Sequence, residues 1–200
     1  MKIAFRQQAT NFDCAPTSII NALKYLFARK DIPPYVLQRI YKDCLDIEAF
    51  RGTSSGAMHD IAHWLNAYRE QRFKQFAVRV QFIRGKQVHL RPNSKILRCI
   101  EERGAALLCV HASKRTWHYI TCIHAEEDWL YCYDPAPLST RTIIADCVEC
   151  IVDARGQQPN LRIRTGWLER KIGKDSSPDE CIYVFGNHEH RECLLLNRIF

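Results

Sequence analysis

The hydrophobic pattern of the chain changes period once, near residue 76, and this change limits the fold more than any single motif. Before it, apolar residues recur at helical spacing. Ile19, Leu23, Leu26 and Phe27 share one face of a helix that starts around Cys14 and ends before KDIPP at 30–34. Pro16 suits the first turn, whose N–H groups have no partner inside the helix. A short helix is expected after Pro34, and another after Thr53, with a capping residue and an apolar stripe at Met58, Ile61, Ala62 and Leu65. Past residue 76 the period becomes two. FAVRVQFI, AALLCVHA, WHYITCIHA and DWLYCYDPA read as strands, interrupted by one helix, NSKILRCIEERG, with an Asn or Ser cap and a Gly stop. Helices followed by a largely antiparallel sheet predict an α+β fold.

The last third is less regular. TIIADCVECIVDA (142–154) suits a strand or a helix, PNLRIRTGWLERKI (159–172) carries a helix, ECIYVFG (180–186) reads as a strand, and KIGKDSSPDE (171–180) as a loop. There is no internal repeat and no obvious linker, so 200 residues with 46% apolar composition predict one globular domain.

Composition narrows the function classes. The ten cysteines stand as singles in apolar runs such as LLCV and YITCIH, the pattern of buried reduced thiols rather than of a disulfide framework. A reducing, cytoplasmic compartment is expected. No apolar stretch approaches the ~18–20 residues of a membrane span, and the N-terminus lacks a signal-peptide apolar region. The net charge of +7 owes much to RFKQFAVRVQFIRGKQVHLR (72–91), where strand alternation makes a solvated face the simpler reading. Nucleic acid is therefore not an expected partner.

Against this background Cys14 stands out. Backbone N–H groups and the dipole at a helix start stabilise a thiolate, and a nucleophile then needs a base. Among eight histidines, His118 lies early on a strand with Asp134 at the end of the next. With a turn near Glu126 to Asp128 the two lie near opposite one another, where the carboxylate orients the imidazole. Pro135 keeps Asp134 out of the helical region. Gln8 can direct an amide N–H beside Cys14 and, with the Cys14 backbone N–H, form an oxyanion hole. Cys14 would attack an acyl carbon, His118 move the proton, Asp134 set its tautomer and Gln8 receive the developing charge. A buried structural thiol is the competing reading of Cys14.

The ordered blocks QATNFDCAPTSIINAL, RGTSSGAMHDIAHWL, HYITCI and YCYDPA, from about Phe5 to Pro137, resemble the C39 family of papain-like cysteine peptidases. The resemblance implies a papain-like fold with the cysteine on a central helix and the His and Asp on the sheet. It implies a catalytic core over 1–137, with 138–200 an extension packed on or completing the same domain. It also implies cleavage after Gly-Gly in a protein or leader peptide, a narrow groove near Cys14, and no cofactor. A maturation protease and a toxin effector with a cognate inhibitor or immunity protein both fit; so do a papain-fold deamidase or acyltransferase, and a peptide-binding pseudoenzyme. The chain departs from the family in several ways, one being that the extension after Leu138 has no recognised counterpart there. Ala15 replaces the glycine after the cysteine, a change that crowds the substrate backbone; the segment around Asp31 to Phe50 lengthens the gap to His118; and no transporter is attached.

Two further clusters imitate metal sites. HDIAH (59–63) has the spacing of a zinc-protease helix but an Asp for the Glu, and helix-surface histidines are the simpler account. Cys147 and Cys150, with Cys181, His188, His190 and Cys193, match no known zinc module; packing thiols and a polar GNHEHRE turn are expected instead, with no metal site.

Overall fold

The computed structural model describes residues 4–45, 52–137, 143–144, 146–152 and 156–199. Three helices come first: α1 (Cys14–Leu26), α2 (Pro34–Cys44) and α3 (Ser55–Ala67). Pro34 opens α2 at a position where its missing N–H costs nothing, and Ser54 caps α3 by accepting from the Ala57 N–H at 3.2 Å. The stripe expected on α3 is the one buried: Met58, Ile61, Ala62 and Leu65. Next come β1 (Val78–Arg84), α4 (Lys95–Glu101), β2 (Ala105–Ser113), β3 (Thr116–Glu126) and β4 (Trp129–Tyr133). Of the two caps anticipated for α4, Ser94 is used, accepting from the Leu97 N–H.

The tail adds β5 (Val148–Cys150), β6 (Leu161–Arg164), the short α5 (Thr165–Leu168) and β7 (Glu192–Arg198). Among the described residues seven strands form one antiparallel sheet in the order β1-β7-β2-β3-β4-β6-β5. The mixed helix and antiparallel-sheet class is therefore as expected, but the tail differs in detail. LRIR is strand and only TGWL is helix. ECIYVFG is not a strand: Asp179–Cys181 form a 3-10 turn, and positive φ at Tyr183 (55°) and Gly186 (68°) bends the backbone out of extended conformation. It keeps two bonds to β2, Tyr183 N–H to His111 O and His111 N–H to Val184 O.

β7 carries no alternation signal because it is buried on both faces. Leu194 and Leu196 face one core, with α1, α2 and α3; Cys193 and Leu195 face the other, with α4 and α5. A strand in this position reads as a continuous apolar run. It lies between β1 and β2, pairing with both, so the end of the chain bridges strands formed much earlier. The boundary at Leu138 and residues 46–51 lie outside the described residues. Among the described residues no helix is long and apolar enough to cross a membrane, and all ten cysteines are free thiols.

Because β7 holds the two cores together, truncation there should act on the whole domain. Leu196→Ala, at a fully buried position, is expected to lower the unfolding free energy by about 2–5 kcal/mol, read from urea denaturation.

Candidate active site

The N-terminal segment is tied down before it enters α1. Phe5 stacks on Tyr133 with ring centroids 4.5 Å apart. The fully buried Asn21 side chain binds the Arg6 backbone twice, accepting its N–H at 2.7 Å and donating to its carbonyl at 2.9 Å. The Gln8 N–H donates to the carbonyl of Pro135 at 2.9 Å, next to Asp134 in sequence. Asp13 then turns the chain into the helix without capping it. Its carboxylate reaches back to accept from the N–H groups of Ala9 (3.0 Å) and Thr10 (2.7 Å) and from the Thr10 hydroxyl. Burial opposes its charge, but these bonds prevail and hold its pKa below the usual carboxylate value.

α1 begins at Cys14, and its body is clamped to β3. The Ser18 hydroxyl donates to the Tyr119 carbonyl at 2.9 Å, and the Thr121 hydroxyl donates to the Ser18 carbonyl at 3.1 Å. Both residues are fully buried, so the exchange fixes the sliding position of helix on strand. It brings Cys14 beside His118, close enough for the sulfur to favour the imidazolium form. Cys14 is 8% exposed and opens onto a cleft of about 690 Å³. The cleft is flanked by the half-exposed rings of Phe12 and Trp117. Ala15, in contrast, is wholly buried among core residues, so its methyl group packs inward and does not crowd this cleft.

His118 and Asp134 are joined by a bond of 2.7 Å between Nε2 and Oδ1. They lie near one another, as the hairpin count predicts, on the diagonal rather than face to face. A bulge between Cys122 and His124 shifts the register so that Tyr133 faces Thr121, and Asp134, just past the strand, reaches His118 on the diagonal. With Nε2 engaged by Asp134, Nδ1 is left for the thiol. Asp134 is 1% exposed yet fully supplied with donors. Oδ1 also accepts the Ala136 N–H at 2.7 Å, and Oδ2 accepts the Tyr183 hydroxyl at 2.5 Å. Asn160 pairs with its backbone in both directions, accepting the Asp134 N–H at 2.8 Å and donating to its carbonyl at 3.0 Å.

The electrostatics follow from this enclosure. Burial disfavours the His118 cation, but the Asp134 charge and hydrogen bond, together with Cys14, raise its pKa to about 10. For Asp134 burial opposes ionisation, and His118, Tyr183 and the Ala136 N–H overcome it, so its pKa falls below the ordinary value. The pair is thus a buried imidazolium–carboxylate.

Cys14, His118 and Asp134 are brought together in this way. Gln8 is held by its backbone N–H to Pro135, the residue after Asp134, and its Oε1 is buried with no hydrogen-bond partner. Tyr183, Asn160, Ser18 and Asn21 were not read from the sequence as parts of the site; each is an ordinary polar residue until the fold shows what it touches. The motifs that imitate metal sites behave differently. His59 and His63 are exposed on α3. Cys147 and Cys150 pack against the core, and the Cys181 thiol donates to the Ser177 carbonyl. Among the described residues no three His, Cys, Asp or Glu side chains cluster as a metal ion would require.

No family model matches the chain, and no curated protein does. Among solved structures it is similar to a double glycine motif protease from an AMS/PCAT transporter, crystallised in complex with the leader peptide. The identity is 12%, the match covers all of this chain and 96% of that one, and the TM-score is 0.43.

Asn160→Ala would leave the buried N–H and carbonyl of Asp134 unpartnered. The expected result is a loss of about 1–3 kcal/mol in stability, measured by chemical denaturation.

Proposed function

We propose that the protein is a cysteine endopeptidase of papain-like fold. In this reading Cys14 is the nucleophile, His118 the acid and base, Asp134 the orienting carboxylate and Gln8 an oxyanion donor. The observation that carries it is the buried His118–Asp134 hydrogen bond, with the Cys14 thiol near enough to act on His118 from a helix start that opens on a cleft. Such an arrangement exceeds what a packing thiol needs, since burying an ion pair is costly unless geometry and hydrogen bonding are complete.

The steps follow from the charges. His118, with its pKa raised to about 10, holds its proton at neutral pH, so the productive partner is the Cys14 thiolate. The thiolate attacks the carbonyl carbon of the scissile peptide. Negative charge moves to the carbonyl oxygen, where the Cys14 N–H and the Gln8 amide donate to it; turning that amide about its last torsion presents Nε2 where Oε1 now sits unpartnered. His118 gives its proton to the departing amine, leaving an acyl-enzyme. Water then attacks, His118 takes up its proton, and the acid product leaves with the thiolate restored. Throughout, Asp134 keeps Nε2 protonated and Nδ1 directed at the sulfur.

The resemblance of the blocks around Cys14, His118 and Asp134 to C39 peptidases supports Gly-Gly as the cleavage site, in a protein or peptide substrate. Maturation of a precursor and attack on a foreign protein are two uses of the same chemistry, and a reducing cytoplasm suits the free thiols of both.

Incubating a bacterial lysate with the protein and mapping new protein N-termini by mass spectrometry is expected to yield termini that follow Gly-Gly. None should appear with Cys14→Ala; cleavage surviving in that variant would overturn the reading, and loss of ammonia from a target without new termini would assign a deamidase instead. Asp134→Asn is expected to lower kcat by about 10²–10⁴-fold, since the imidazole loses its tautomer and orientation. The pH profile should carry an alkaline limb. His118 keeps its proton below its folded pKa, so kcat/KM is sustained through neutrality and declines as pH rises through about 10.

A further inference from the structure

The wall of the cleft beyond Cys14 carries a carboxylate with no role in the proposed proton transfers. Glu192, at the start of β7, lines the cleft and is 9% exposed. The hydroxyl of Tyr119 donates to its Oε1, and the hydroxyl of Ser55 donates to its Oε2. Both partners are neutral. Among the described residues the cation that faces it is Arg84, opposite it in the β1–β7 register, with Nε 4.0 Å from Oε2 on a side chain that is 61% exposed. Tyr119 and Cys109, which line the same wall, are both held in their neutral forms by burial together with the nearby Glu192. Glu189 and His190 sit farther out and face one another at 3.9 Å, and Arg115 lies on the Trp117 side.

A carboxylate removed from water and met chiefly by hydroxyls is incompletely compensated. Each of its oxygens accepts a single strong bond and retains a free lone pair. A cationic group entering the cleft would supply the missing charge, displacing only the loosely placed Arg84. The volume of about 690 Å³ also exceeds what a backbone bearing two glycines fills.

We infer that Glu192 is a specificity-determining residue that binds a Lys or Arg side chain of the substrate near the scissile bond. This rests on the cleft being the peptide site of the proposed peptidase. Tyr119 and Ser55 act as positioning residues, fixing the carboxylate against the wall so that a long basic side chain reaches it while the substrate backbone lies along Cys14. Gly-Gly would then be only part of the recognised sequence, the basic residue supplying orientation that glycines cannot. Discrimination arises in binding, because the charge pair forms equally in ground and transition states.

The test uses N-terminally fluorescein-labelled Gly-Gly peptides that differ only in carrying Lys, Met or Glu at each position flanking the glycine pair. Binding is read by anisotropy on the Cys14→Ala protein, and cleavage on the wild type. The expected result is that one position binds Lys about tenfold or more tightly than Met, with Glu weaker still. In cleavage the preference should appear in KM with kcat nearly unchanged. Glu192→Gln, which retains acceptors for both hydroxyls, should erase it, and Arg84→Ala, which removes the competing cation, should enlarge it. Equal binding of Lys and Met peptides at every position would overturn the inference, whether or not the wild type cleaves them. Absence of cleavage alongside a Glu192-dependent Lys preference would overturn the peptidase reading and leave the cationic subsite standing.

Discussion

The site is organised by one buried carboxylate. Asp134 is almost wholly removed from water, and an ion in that position survives only if its oxygens and its own backbone are all partnered. The partners come from widely separated parts of the chain: His118 on β3, Ala136 just beyond β4, Asn160 ahead of β6, and Tyr183 in the bent segment before β7. Satisfying Asp134 therefore requires the sheet, the loop after β4 and the tail to be assembled at once. This couples the chemistry of the site to the completeness of the fold.

The same requirement explains local irregularities that would otherwise be unfavourable. The β3–β4 bulge costs ladder regularity, yet it sets the diagonal approach of Asp134 to His118. Tyr183 adopts a positive φ that side-chain-bearing residues avoid, and it is the residue whose hydroxyl reaches Oδ2. On the helical side the Ser18–Thr121 exchange and the Asn21 clamp on Arg6 do comparable work with neutral groups. Together they hold the thiol, the imidazole and the Gln8 segment on elements that cannot slide independently.

The residues after 137 contribute to the same sheet and to the surroundings of the same buried carboxylate. β7 lies inside the sheet, Asn160 and Tyr183 hold Asp134, and Glu192 faces the cleft. Without the residues after 137 the sheet would lack a central strand, the Asp134 carboxylate would lose the Tyr183 hydroxyl, and its backbone would lose Asn160. The cleft wall bearing Glu192 would be missing as well.

The sequence alone determined what periodicity and local chemistry encode. The start of α1 at Cys14, the buried stripe of α3, the Ser94 cap and the first four strands follow from spacing and capping, since these depend on neighbours within a few residues. The pairing of His118 with Asp134 was legible because the two hold countable places on neighbouring strands of a hairpin. β7 was not legible: its apolar run is only Cys193 to Leu196, too short to be told from a buried helix segment by periodicity. Nor were Tyr183, Asn160 and Glu192, because a tyrosine, an asparagine or a glutamate has no local signature of the group it will touch. Which buried charge each one answers is fixed only when strands far apart in the chain are brought side by side, and this the tertiary structure decided.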